Sequence, residues 1–136
     1  MLRKFLKPMK LPAPVDWGVL ILRVGVSLLM LTHGYPKLTR AIGGDHSFAD
    51  PIGIGEGLSL VLTVFAEFFC SVLLILGLAS RAVLIPLIIT MTVVTFIIHG
   101  DDPFDKKEHA LLFLIPYITL FLTGPGKFSI DRGLYK

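Results

Sequence analysis

The sequence predicts an all-α integral membrane protein, a four-helix bundle with both termini in the cytoplasm. Three observations predict it. Of 136 residues, 54% are hydrophobic and 17% charged, where soluble domains sit near about a quarter charged, and the mean hydropathy is +0.78. The apolar residues fall into four runs separated by polar, glycine-rich or proline-rich breaks, and the Lys and Arg residues flanking those runs divide unequally between the two sides. Spans of about 20 residues each leave no length for a separate soluble domain, so residues 1–136 read as a single membrane domain.

The basic, proline-broken tail at residues 1–15 precedes an apolar run without a small-residue cleavage site, which argues for a retained first span. That first helix is expected over 17–33, with Trp17 as an interfacial anchor, ending at His33-Gly34-Tyr35-Pro36. A polar, glycine-rich outer loop at 41–57 leads to the second helix, 58–77. The third, 83–98, holds Pro86 near its start, where a missing N–H costs least, and ends at His99-Gly100. The fourth, 108–123, is short; Lys106 and Lys107 could snorkel to extend it, Pro116 should kink it, and Gly124-Pro125-Gly126 ends it. Backbone groups in lipid must be paired within their own segment, so even the Val/Ile/Thr-rich third run reads as helix, and the alternating polarity of a barrel is absent.

Orientation follows from basic residues in short loops and tails. Arg3, Lys4, Lys7, Lys10, Arg81, Lys127, Arg132 and Lys136 gather on one side, and Lys37, Arg40, Lys106 and Lys107 on the other. The excess places both termini inside, in the bacterial inner membrane. The net charge of +3 does not imply nucleic acid, because the cations are dispersed among apolar segments. The lone Cys70 excludes an internal disulfide and a CxxC couple. No phosphate loop, haem-attachment motif or catalytic triad pattern is present.

The polar residues inside the spans are the functional candidates. An isolated Arg near a helix centre costs roughly 2.5 to 3.5 kcal/mol, so Arg23 should face protein, and Glu67 on the second helix is its expected partner. Cys70 and Ser71, at i+3 and i+4 from Glu67, share its face, while Gly25 and Ser27 should allow close helix approach. At the outer ends, His33 and His99 close two helices and Glu108 and His109 open the fourth, with Lys37 four residues past His33. Pro36 argues against a helix continuing to Lys37, and the histidines before glycine and Glu108 at a helix start also have plain structural explanations as capping or dipole residues. Together, two histidines and a carboxylate at the mouth of an apolar bundle suit a quinone or another flat apolar ligand. No HExxH or paired-cysteine spacing supports a metal.

Three stretches carry a resemblance: LRVGVSLLMLTHGYPKL from Leu22, AEFFCSVLLILGLASR from Ala66, and HGDDPFDKKEHALLFLIPYITLFLTGPGKFSIDR from His99. In combination they resemble the DoxX family of small four-helix bacterial membrane proteins, related to the DoxD subunit of thiosulfate:quinone oxidoreductase. The resemblance implies a multi-pass inner-membrane protein associated with quinone-linked redox chemistry, with Arg23, His33, Lys37, Glu67, His99 and Glu108 at the family's recurrent polar positions. The expectation is a redox-associated accessory subunit with no intrinsic cofactor that binds quinone and acts with membrane-complex partners or as a homo-oligomer. The rival readings are a non-catalytic assembly or scaffolding subunit, and a small transporter using Glu67 as a proton site.

Overall fold

The structure, a computed structural model, describes all 136 residues. It is all-helical. A short α1 (Leu2–Leu6) precedes α2 (Ala13–Ile42), α3 (Glu56–Leu76), α4 (Ser80–Ile98), α5 (Phe104–Thr123) and a final α6 (Ile130–Leu134). α2 packs on α3 and α5, and α4 packs on the same two, so the four long helices form a ring. Met30, Cys70, Leu74, Leu87, Tyr117 and Leu120 are among the buried side chains that fill its middle.

The exterior is apolar as well. Ile21, Leu29, Ile89, Leu112 and Ile115 are all more than half exposed, an arrangement that water would penalise and lipid would not. α2, α3 and α4 are each long and apolar enough to cross a membrane. α5 is 20 residues long, but Asp105, Lys106, Lys107 and Glu108 occupy its beginning. The apolar remainder, Ala110 to Thr123, rises only about 21 Å, less than the ~30 Å hydrocarbon core.

α2 is longer than the expected 17–33. It begins at Ala13 with Pro14 in its first turn, where an N–H is not needed, and runs through Pro36 to Ile42. Pro36 removes one ladder bond without ending the helix, and Thr39 donates its hydroxyl to the Pro36 carbonyl one turn on. This extension lifts α2 nine residues past His33. α3 and α4 each contain a wider π-helical stretch, Phe65–Cys70 and Val94–Ile98, the latter closed by the His99 N–H on the Val94 carbonyl at 3.0 Å. Such insertions in α-helices concentrate at functional sites. Here one carries Glu67 and the other delivers His99.

Both termini lie at one end of the ring, where an Arg3 guanidinium nitrogen lies 3.4 Å from the Lys136 carbonyl. At that end three side chains fix the C-terminal segment in place. Arg23 donates to the carbonyls of Pro125, Phe128 (2.6 Å) and Ile75 (3.4 Å). Asp16 accepts the Lys127 N–H at 2.8 Å. Asp131 accepts the Ala79 and Ser80 N–H groups at 2.7 and 2.8 Å, capping α4 where Ala79 takes a left-handed φ of 50°. Gly77, at φ 68°, closes α3, and a Cβ there would lie 2.4 Å from the Ser129 Cβ, so only glycine fits beside the C-terminal segment.

Candidate functional site

Arg23 and Glu67 do not pair. Gly34 of α2 lies against the Glu67 backbone so closely that a Cβ would come within 2.7 Å of the Glu67 carbonyl carbon. Gly34 therefore fixes the level of Glu67, and Arg23, 11 residues earlier, lies about 16 Å away along the helix axis. An arginine cannot bridge that distance. The register of the two helices is set by Gly34 against α3, on a helix that continues through Pro36 to Ile42. Arg23 is instead 2% exposed among backbone carbonyls at the terminal end. Gly25, expected to allow close approach, has nothing within 4 Å of a Cβ position.

The partner of Glu67 is Lys37, whose ammonium donates to Oε2. Lys37 follows Gly34 at i+3 and His33 at i+4, so the continuous helix puts all three on one face. The pair is asymmetric: the Glu67 side chain is 4% exposed and Lys37 24%. A Lys ammonium has three donors, and Glu67 takes the only one that the protein occupies.

Beside this pair is a cavity of about 150 Å³ lined by His33, Lys37, Glu67, His99, Lys106 and His109, with Met30, Met91 and Phe113 among its apolar walls. His33 and His109 meet edge-on with ring centroids 4.7 Å apart, and Phe113 stands perpendicular to His33 at 5.7 Å. Edge-to-face contacts of this kind hold rings in place without using their nitrogens. No protein group hydrogen-bonds the ring nitrogens of either histidine. His99 is held differently: its Nδ1 pairs with Asp102 at 2.7 Å, and its ring still lines the cavity. Cys70 and Ser71 are buried with Glu67 on the inner face of α3.

Glu108 lies outside this cavity. It is exposed and lines no cavity, because it shares a helical face with the outward-facing Leu112 and Ile115. The carboxylate at this end is Glu67. His109, one residue on, is also exposed but stands at the cavity mouth and continues through Phe113 and Tyr117 to the inner face, an i, i+4, i+8 spacing readable from the sequence. Lys107 does not snorkel freely; it donates to the Gly100 carbonyl at 2.8 Å. No three His, Cys, Asp or Glu side chains are placed to share a metal ion.

Glu67 and Lys37 also border a second cavity of about 300 Å³ under the loop between α2 and α3, walled by Phe48, Ile52, Ile54 and Ile98. Asp50 holds that loop. It accepts the N–H groups of Gly55 (3.0 Å) and Ile54 (2.9 Å) and the Ser59 hydroxyl (3.0 Å). The Gly55 N–H above all, with the Ser59 hydroxyl, keeps this carboxyl below its ordinary value of 3.8.

The DoxX family model covers residues 18–100, more than half of the chain. The chain belongs to the DoxX family. Inner membrane protein YqjF of Escherichia coli strain K12 is 28% identical over 127 residues, covering 89% of this chain and 95% of YqjF. Uncharacterized membrane protein Rv3486 of Mycobacterium tuberculosis is 28% identical over 142 residues, covering 88% of this chain and 82% of that one. No solved structure matches. This DoxX protein is a multi-pass membrane protein, as its three long apolar helices require.

Proposed function

We propose that this DoxX protein binds a quinone, or a similar flat ring bearing carbonyl groups, in the cavity beside Lys37 and Glu67, as a redox-associated accessory subunit of an inner-membrane complex. The observation that carries this reading is a Lys–Glu pair with its carboxylate buried, next to two histidines whose ring nitrogens have no protein partner. The free N–H groups of Lys37 and an N–H of His33 or His109 would donate to ring carbonyls, in surroundings of Met30, Met91 and Phe113 that suit the ring faces. Reduction of a quinone takes up two electrons and two protons; Glu67 and the histidines are proton-exchanging groups at the ring, and a partner subunit would deliver the electrons. In this reading all four long helices cross the bilayer with both termini in the cytoplasm, which the basic excess on the terminal side supports.

Titrating the protein in nanodiscs with a tail-less methyl-benzoquinone tests the site. The wild type should bind, and Lys37→Gln and His33→Ala should each weaken binding by about ten-fold, the loss of one good hydrogen bond. No affinity in the wild type would overturn the reading.

Arg23 favours the rival. Its donors go to the chain's own carbonyls, so a buried charge in this fold can be purely structural, and Lys37–Glu67 would then only fix helix register in a scaffolding subunit. That reading predicts a stoichiometric complex member with no quinone affinity.

A further inference from the structure

The cavity at His33 and His109, at about 150 Å³, is the size that accepts a single six-membered ring. A long substituent would have to leave it. Two neighbouring cavities offer an exit, and the one that joins it through a set of aromatic rings lies between α2 and α5.

That exit is a groove of about 400 Å³ between α2 and α5 on the outside of the bundle. His33, His109 and Phe113 line both the groove and the inner cavity, so three rings form the boundary between them. Beyond the rings the walls are almost wholly apolar, with Leu29 and Val26 of α2 facing Leu112 and Pro116 of α5. From His33 to Ile21 the groove follows α2 for 12 residues, about 18 Å. Gly25 makes the hollow at its middle, since a Cβ there would meet nothing within 4 Å. Leu29 and Leu112, at 61% and 63% exposure, stand open to the bilayer. The other exit, under the loop, passes Lys37 and Glu67 and runs between Phe48, Ile52 and Ile54 of the loop and the Leu62 and Ile89 side chains of α3 and α4.

We propose that the α2/α5 groove is a lateral entry path and tail site, through which a lipid-dissolved ligand with a ring head and a long apolar tail reaches the Lys37–Glu67 cavity. The proposal rests on the ring-binding reading of that cavity and adds the ligand class, an amphipathic molecule delivered from the membrane. The head passes the His33, His109 and Phe113 rings, and the tail lies along Gly25 in place of a lipid acyl chain. Because the tail moves from one apolar surrounding to another, the groove supplies shape and direction more than hydrophobic free energy.

The test compares the tail-less methyl-benzoquinone with a decyl-substituted benzoquinone in nanodiscs holding wild type, Gly25→Phe or Leu112→Trp. Gly25→Phe places a ring in open space on a helix that does not need glycine there, and Leu112→Trp fills the groove from the opposite wall. Both should weaken the decyl compound by about ten-fold, or 1.4 kcal/mol, and leave the tail-less one within about two-fold. If both compounds bind the wild type and neither substitution weakens the decyl compound, the groove proposal falls and the cavity reading stands. A Thr90→Phe substitution in the cavity under the loop that weakens the decyl compound selectively, with the groove variants unaffected, also overturns it. If neither compound binds the wild type, the cavity reading falls and takes the groove with it.

Discussion

Arg23 and Lys37 occupy the same face of one helix and meet opposite solutions to burying a cation. Arg23 spreads its charge over three carbonyls from two segments of chain, which a planar guanidinium can do and a Lys ammonium cannot match in geometry. Arg23→Ala should destabilise the protein by roughly 2 to 5 kcal/mol, because the carbonyls are left without donors, and Arg23→Lys should recover only part of that; equal melting temperatures for wild type and Arg23→Lys in detergent would contradict the geometry. Quinone affinity should survive in any folded Arg23 variant, since the cavity lies at the other end. The identity of Arg23 as a buried, compensated charge was legible in the sequence. Its partners were not, because they are backbone carbonyls, which carry no residue-specific signal.

At the scale of elements, the site depends on α2 continuing through Pro36. The stripe Arg23, Val26, Met30, Gly34, Lys37 keeps helical spacing across the proline, so the extension could be read from periodicity; treating Pro36 as a stop hid Lys37 from Glu67. Gly34→Ala should separate α2 from α3, since the added methyl would lie 2.7 Å from the Glu67 carbonyl. We expect a lower melting temperature and weakened quinone binding together, whereas Gly25→Ala should change neither. The loop over α3 responds to acid through Asp50. A depressed carboxyl pKa in the folded state means that the loop's contribution is complete above the ordinary value of 3.8 and is lost as pH falls through the lower, folded one. Hydrogen exchange at the Ile54 and Gly55 amides should therefore stay protected at pH 5 and rise only in stronger acid; unchanged protection in an Asp50→Asn variant at pH 5 to 7 would show that the carboxylate does not hold the loop.

On the scale of the whole molecule, the chain is a ring of four helices with apolar surface inside and out, closed at one end by a hydrogen-bonded C-terminal segment and open at the other to a polar cavity. Composition and the apolar runs made the all-helical membrane class readable, because lipid permits few alternatives. The polar residues of that end could be read as a group from the sequence; that His109 and not Glu108 lines the cavity could not, since a single residue changes a helical position by about 100°. The two π-helical stretches were invisible to hydrophobic spacing, yet they set where Glu67 and His99 point. Occupation of the cavity beside Lys37 and Glu67 by a ring ligand can be read by photolabelling with an azido-benzoquinone in nanodiscs, followed by peptide mapping. Label should fall on α2 between Met30 and Lys37 and on α5 between Lys106 and Phe113, and unlabelled quinone should compete it. Label confined to the terminal end, or spread over the lipid-facing surface without competition, would contradict it.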